Sequence, residues 1–160
     1  MKITIFFLML SVFPKSHLLA QGKSINSQMS TSSLLKFKAI DSKGTIKTFE
    51  KGKPLMLVYF RTDCEDCNRN IRSLSKMAKD YPVQIWMVSP EPVAELQVFN
   101  DMYALYDLDN LEMMQDYTTS MHDWFDFKYL PFIVLYNASG KEIQRFEELP
   151  QAQTIQDLLK

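Results

Sequence analysis

Two cysteines, Cys64 and Cys67, are the only thiols in the 160-residue chain, and two residues separate them. Such a pair can cycle between dithiol and disulfide, contribute two ligands to a metal site, or close a structural clip. Acidic residues precede and separate the two thiols, at Asp63, Glu65 and Asp66. Their negative charge opposes formation of the thiolate, which is the form that reacts in disulfide exchange.

The metal and clip interpretations are the weaker two. A structural zinc site takes four ligands, and after residue 20 the chain offers His122 as its only histidine beside the two cysteines. A disulfide across two intervening residues closes so small a loop that the unfolded chain loses little entropy. We therefore predict no metal ion. We also predict no other cofactor, because the four glycines are not spaced for a phosphate-binding loop.

A buried strand and an amphipathic helix should hold the cysteine pair. Residues 55–60 (LMLVYF) form a continuous apolar run, which is typical of a central strand, and residues 83–88 (VQIWMV) form another. Between them a helix is predicted over about 65–79, since its apolar residues repeat with helical spacing. The positions that share its apolar face are Cys67, Ile71, Leu74 and Ala78. This order predicts a β-α-β unit with two parallel strands.

The position of each cysteine on this helix predicts its role. Cys64 would face the unpaired backbone N–H groups and the positive dipole end of the helix, and both favour a thiolate. Cys67 lies one turn further and would point inward. We therefore predict that Cys64 is the exposed attacking thiol and that Cys67 is the shielded thiol that resolves the mixed disulfide.

The neighbouring charges should tune this pair. If the three acids stay ionised, the thiolates are less stabilised, and stabilised thiolates are what make such a protein a strong oxidant. We therefore predict a reductant or isomerase rather than an oxidase. Three guanidinium groups are close enough in sequence to offset the acids, and they belong to Arg61, Arg69 and Arg72.

The remaining pattern predicts a single α/β domain over 34–160, with a central sheet of about four or five strands flanked by helices. Two short strands should surround a turn at 41–44, and a strand at 132–136 should pair with 141–146 across a Gly140 turn. Further helices are predicted from about Pro92 to Tyr103, somewhere within 104–127, and over 151–159.

The composition of the first 33 residues predicts a signal peptide followed by a disordered leader. Lys2 followed by an apolar run predicts a secretory signal peptide over 1–20, too short for a membrane span, and the Ser-rich 21–33 predicts a disordered leader. We therefore expect an exported protein, periplasmic or extracellular, with no stable membrane span after cleavage. Cleavage removes two lysines and no acid, so the formal net charge falls from −1 to −3, which argues against nucleic-acid binding.

On these motifs residues 34–160 resemble the thioredoxin-like superfamily, and within it the exported TlpA-like thiol-disulfide oxidoreductases. The resemblance implies a thioredoxin-like fold with an N-terminal β-hairpin. It also implies that the protein exchanges with protein thiols or disulfides and receives electrons from an unknown donor. It also implies that Pro131 is a cis-proline facing the dithiol, with Leu130 offering backbone groups to an extended substrate.

The chain departs from that family at four places. Asp63 replaces the usual Trp before the first cysteine, and acids replace the usual Gly-Pro or Pro-Pro between the cysteines. Val58 and Asn70 stand where relatives carry polar or acidic residues near the resolving thiol. The usual proton acceptor for Cys67 is therefore missing, and Asp63, Glu65, Asp66 or water would have to serve.

Residues 80–127 contain ten acids and no Lys or Arg. Helices with solvated acidic faces account for this composition, and a surface that docks a basic partner is the alternative. The rival functions are therefore a non-catalytic thioredoxin-like binding module that uses this segment, and a peroxide-reducing relative. The peroxidases match less well, because Arg61 stands where their Thr would be.

Overall fold

Seven strands and four α-helices form the part of the chain that the computed structural model describes, which is residues 34, 37–125 and 127–160. The predicted signal peptide and leader lie outside the described residues. In chain order the strands are β1 (Lys38–Asp41), β2 (Ile46–Thr48), β3 (Leu55–Tyr59), β4 (Gln84–Ser89), β5 (Leu111–Gln115), β6 (Phe132–Tyr136) and β7 (Glu142–Phe146), and the helices with described bounds are α1 (Glu65–Met77), α2 (Val93–Met102), α3 (Ser120–Trp124) and α4 (Ala152–Leu158).

All seven strands belong to one mixed sheet in the order β2-β1-β5-β4-β3-β6-β7. The three neighbours β3, β4 and β5 are parallel, whereas the pairs β1–β2, β1–β5, β3–β6 and β6–β7 are antiparallel. The predicted β-α-β unit with a parallel pair is therefore confirmed, as is the α/β fold class. The four or five central strands that we predicted correspond to β3–β7, and the predicted N-terminal hairpin adds β1 and β2 to the same sheet.

The two faces of the sheet carry separate apolar cores, because successive residues of a strand point to opposite faces. Met56 and Val58 of β3 join the core under α1, α2 and α4, while Leu55, Leu57 and Tyr59 join the core under α3. Both β3 and β6 are buried along their whole length. No helix within the described ranges combines the length and the apolar character needed to cross a membrane.

One strand was not predicted, and one strand boundary was wrong. The segment 111–115 (LEMMQ) is the strand β5, which we did not expect because Leu, Glu, Met and Gln all favour helices. Pairing with β1 on one side and β4 on the other outweighs this weak preference. The helix expected within 104–127 is present as the five-residue α3, and a short 3-10 helix spans Leu105–Asp107. The strand expected from residue 34 begins at Lys38, and Leu34 lies in a helical turn.

The turn between β6 and β7 requires glycine for two reasons. Gly140 has a φ of +81°, and a Cβ atom there would lie 2.8 Å from the Phe49 ring. Phe49 is only 7% exposed, so the ring has little room to move away. Gly44, in the β1–β2 turn, has a similar φ of +78° but no atom within 4 Å of its would-be Cβ.

These two glycines separate backbone strain from packing. We expect Gly44→Ala to lower the free energy of unfolding by about 1–2 kcal/mol, the usual cost of the left-handed conformation for L-residues. Gly140→Ala should cost about 1–3 kcal/mol more, since the new methyl group also overpacks the Phe49 ring. Urea unfolding of both variants measures the difference, and equal losses would contradict the packing argument.

Candidate functional site

Cys64 is the N-cap of α1, and its position is set by backbone geometry. Its φ of −89° and ψ of 115° are extended, so the chain leaves β3 and turns into the helix at this residue. The Cys64 Sγ accepts a hydrogen bond from the Cys67 backbone N–H at 3.1 Å, and the Asn68 N–H donates to the Cys64 carbonyl at 3.0 Å. A disulfide joins Cys64 to Cys67. The first turn of α1 thus holds both sulfurs.

The two sulfurs differ in their access to solvent. Cys64 is half-buried, whereas Cys67 is fully buried and packs in the same core as Ile71 and Leu74. This difference follows from the helical repeat, because Cys67 shares the inward face with those residues. A reagent in solution can therefore approach Cys64 and not Cys67.

The loop before β6 lies beside Cys64. The Leu130–Pro131 peptide bond is cis, the geometry that the resemblance implies, and the Leu130 carbonyl oxygen lies 3.8 Å from the Cys64 Sγ. Pro131 is buried and Leu130 half-buried, while the preceding Tyr129 is 78% exposed. Residues 66 positions apart in the chain are thus brought into contact at the exposed sulfur.

Two of the three acids around the cysteines are paired with guanidinium groups. Arg61 forms a bidentate contact with Asp63, at 2.9 Å and 3.0 Å, and Arg69 lies 2.9 Å from Asp66. The hydrogen bond from Arg61 lowers the pKa of Asp63 and, in return, raises the pKa of Arg61. Glu65 is exposed. Because Asp63 stays ionised to a lower pH than usual, its charge is always present when a thiol titrates.

Arg72, the third cation expected to offset the acids, contacts a different part of the protein. Arg72 lies 6.0 Å from the centre of the Tyr103 ring, so this guanidinium faces α2. The acids in turn have a structural reason to be where they are. Glu65 and Asp66 occupy the first turn of α1, where carboxylates are stabilised by the positive end of the helix dipole. The feature that favours a Cys64 thiolate therefore also favours the acids that oppose it.

Two further carboxylates, which were not predicted to belong to this site, reach it from the next strand–helix junction. Glu91 accepts a hydrogen bond from the Ser89 hydroxyl and lies 3.7 Å from the Arg61 guanidinium, with its side chain only 10% exposed. Glu95, in the first turn of α2, accepts a hydrogen bond from Thr62. The predicted parallel pair could have revealed both residues, because the carboxyl ends of neighbouring parallel strands meet at one edge of the sheet.

A buried tyrosine lies at the same edge of the sheet. Burial, followed by the carboxylates of Asp116 and Glu91, raises the pKa of Tyr59 to about 12. Its hydroxyl has no hydrogen-bond partner among the described residues. Asp116 itself is fully buried and caps α3 by accepting the Met121 N–H at 2.9 Å. The His122 ring meets the Tyr59 ring edge-on at 6.0 Å and is exposed.

Val58 and Asn70, the neutral residues expected near Cys67, have structural contacts. Val58 is buried in β3. The Asn70 side chain donates to the Asp66 carbonyl at 2.9 Å and accepts the Leu149 N–H at 2.9 Å, so it ties α1 to the segment before α4.

Within residues 37–125 and 127–160, no group of three or more His, Cys, Asp and Glu side chains is arranged to hold a metal ion.

Known structures share this fold. A secreted Mycobacterium tuberculosis disulfide oxidoreductase homologous to E. coli DsbE superposes with a TM-score of 0.59 at 23% identity, covering 78% of this chain and 92% of its own. The thioredoxin domain of a Bacteroides vulgatus thiol-disulfide oxidoreductase gives 0.64 at 18% identity, with 77% and 92% covered. StoA from Bacillus subtilis gives 0.57 at 16%, with 76% and 94% covered.

These likenesses confirm the thioredoxin-like fold that the sequence resemblance implied. No protein-family model matches the sequence, and no curated protein matches it either. At such low identity the comparison concerns the fold, so what the site does has to be argued from its own geometry.

The Arg61–Asp63 contact predicts a pKa change at one carboxyl group. Replacing Arg61 by Gln should raise the pKa of Asp63 toward its ordinary value of 3.8, because the bidentate hydrogen bond is lost. Carboxyl-carbon NMR shifts followed against pH measure this change. Arg69→Gln is the matched control, since Arg69 pairs with Asp66.

An Asp63 pKa that is the same in the Arg61→Gln and Arg69→Gln variants would contradict the assigned pairing. The direction of the pKa shift also determines the pH range in which the Arg61–Asp63 pair stabilises the protein. A carboxyl group with a lowered folded pKa stabilises the protein above its unfolded pKa, and that contribution is lost as the pH falls through the lowered value.

Proposed function

We propose that this chain is a thiol-disulfide oxidoreductase that exchanges its Cys64–Cys67 pair with protein thiols and disulfides. The observation that carries the proposal is the unequal burial of two bonded sulfurs in the first turn of α1. Exchange needs one accessible sulfur to attack and one sheltered sulfur to resolve. A stability clip would need neither the helix N-terminus nor the open approach to Cys64.

The proposed reaction is balanced by the two cysteines alone. The Cys64 thiolate attacks one sulfur of a substrate disulfide; a Cys64–substrate bond forms, and the substrate bond breaks. The electron pair leaves on the second substrate sulfur, which takes up a proton. The Cys67 thiolate then attacks the Cys64 Sγ, re-forms the internal disulfide and releases the first substrate sulfur as a thiolate. Two electrons pass to the substrate.

Leu130 and Pro131 are proposed to shape the substrate groove. The Leu130–Pro131 bond is cis, and the Leu130 carbonyl oxygen lies 3.8 Å from the Cys64 Sγ. An extended substrate segment has free backbone N–H groups, and a carbonyl in this position can accept one of them. This contact would hold the substrate sulfur close to Cys64 during both steps of the exchange.

The charges support the electron-donating direction. Around the cysteine loop and the first turn of α1, carboxylates outnumber cations by five to two. The cations are Arg61 and Arg69, and the carboxylates are Asp63, Glu65, Asp66, Glu91 and Glu95. The excess negative charge disfavours a thiolate. Because destabilised thiolates favour the disulfide, we propose a reductant or isomerase rather than an oxidase.

The proton of Cys67 has to reach an acceptor near the surface. Val58 and Asn70 are neutral, and both amide atoms of Asn70 are already engaged. We propose that Asp63, Glu65, Asp66 or water accepts the proton. Because the acids lie beside Cys64 and not beneath Cys67, resolution should be slower than attack.

The proposed setting is outside the cytosol, periplasmic or extracellular. It rests on the apolar run in residues 1–20 and on the exported character of some proteins with this fold, such as the secreted Mycobacterium tuberculosis oxidoreductase. Disulfides persist in such compartments. The partners would be protein thiols and disulfides, with an electron donor restoring the dithiol.

Single-cysteine variants of the chain lacking residues 1–20 test the roles. Cys64→Ser should abolish dithiothreitol-driven reduction of insulin, since no exposed thiol remains. Cys67→Ser should instead accumulate a mixed disulfide at Cys64, because the resolving thiol is missing; non-reducing gels and mass spectrometry detect it. Full activity in Cys64→Ser, or trapping at Cys67 in that variant, would refute the assignment.

The same proteins distinguish the rival functions. A non-catalytic binding module would leave insulin unreduced at any protein concentration. A peroxide-reducing enzyme would consume a hydroperoxide at a rate that depends on Cys64. We expect insulin reduction and no Cys64-dependent hydroperoxide turnover, because no Thr stands three residues before Cys64.

A further inference from the structure

The outward face of α2 combines exposed apolar and acidic side chains. Val98 is 63% exposed and Met102 is 68% exposed. Glu95 and Asp101 are exposed on the same side, because positions three, four and seven residues apart share one helical face. The opposite side of α2 anchors the helix through the buried Leu96 and Phe99. The outward residues are therefore not needed to hold the helix on the sheet.

This face begins at the cysteine loop. Glu95 accepts a hydrogen bond from the hydroxyl of Thr62, two residues before Cys64. From Glu95 to Met102 the helix advances by about 10 Å, at about 1.5 Å per residue. A partner whose disulfide reaches Cys64 can therefore lay its flanking residues along α2 over about two turns.

Charge on this face has one sign. Residues 80–127 contain no Lys or Arg, so α2 and its flanking loops contribute acids alone. Cations border this face, and one of them is Arg61 in the cysteine loop, which lies 3.7 Å from Glu91 just before α2. Arg72 of α1 faces Tyr103, and the β1–β2 turn that carries Lys43 meets α2 where Gln97 donates to the Ser42 carbonyl at 2.8 Å.

We propose that the exposed face of α2, defined by Glu95, Val98, Asp101 and Met102, docks protein partners in which a reactive cysteine is flanked by Lys or Arg together with apolar side chains. This proposal rests on the proposed function and names the partner class of the same site. The carboxylates attract the cationic side chains of the partner. The Val98 and Met102 side chains lose solvent contact only when the partner is bound.

The two parts of the face contribute differently to binding. The acids raise the rate of encounter with a basic partner, an effect that salt screens. Val98 and Met102 bury apolar surface, which slows dissociation and is insensitive to moderate salt. The carboxylates near Cys64 then have a second consequence beyond tuning the dithiol, because they extend the attractive surface to the reacting sulfur.

Three disulfide peptides that differ only in the residues beside the cysteine test the proposal. Their flanks are Lys and Leu, Ser and Leu, or Glu and Leu. At low ionic strength we expect the reduced protein to react about tenfold faster with the Lys peptide than with the Ser peptide, at the lower end of electrostatic steering. The ratio should approach one in about 1 M NaCl, where the Debye length is about 3 Å.

Charge reversal locates the effect on α2. Asp101→Lys should lower the Lys-to-Ser rate ratio at least about threefold, a modest part of the steering range. Asp80→Lys is the matched control, because it makes the same charge change at an exposed position beyond the far end of α1. It should leave the ratio unchanged. Equal effects of the two reversals, or a ratio near one in the original chain, would overturn the proposal.

A binding measurement separates this proposal from the proposed function. The disulfide form is titrated with a Lys-Leu peptide that lacks cysteine, and backbone amide NMR shifts are followed. We expect salt-sensitive shifts along α2 that weaken in Met102→Ser. Such shifts without any peptide reduction would refute the proposed function and keep the docking surface. Reduction of all three peptides at equal rates, without shifts on α2, would refute the docking surface alone.

Discussion

The positive end of α1 attracts two kinds of negative charge, and the site depends on the balance between them. Cys64 is the N-cap, so its sulfur accepts the Cys67 N–H directly. Glu65 and Asp66 lie in the same first turn and gain from the same dipole. The acids therefore help to start the helix that presents the sulfur, and they also make a thiolate at that sulfur less favourable.

Burial of one face of α1 fixes the position of the N-terminal end of this helix. Ile71, Leu74 and Ala78 are at most 1% exposed and pack against Met56 and Val58 of β3. Burying each large side chain contributes about 1.5–3 kcal/mol. The helix cannot rotate without exposing them, so Cys67 stays in the core and Cys64 stays at the rim, although both belong to one short turn.

The parallel neighbours β3 and β4 explain why the site contains more charge than the cysteine motif itself. Their carboxyl ends meet at one edge, so the segment after β4 delivers Glu91 and Glu95 to the loop after β3. The cis Leu130–Pro131 loop completes the surroundings of Cys64. One sheet edge thus assembles the two cysteine sulfurs, the groove proposed for the substrate and the acids proposed to select it.

Much of this arrangement was predictable from local pattern. The apolar runs predicted β3, β4 and β6, and the helical spacing of Cys67, Ile71 and Leu74 predicted α1 and the inward sulfur. Strand β5 was missed because its residues favour a helix, and only pairing with β1 and β4 makes it a strand. The roles of Glu91 and Arg72 depend on contacts between distant segments, which spacing along one segment does not reveal.

The most direct test of the central claim is an equilibrium redox titration of the chain lacking residues 1–20, with free thiols counted at each ratio of reduced to oxidised dithiothreitol. Because the pair acts as one donor, both thiols should appear together in a two-electron transition. Because the site carries excess negative charge, the midpoint should lie at or below about −180 mV, the potential of protein disulfide isomerase. A midpoint well above that value, or no two-electron transition, would contradict the account.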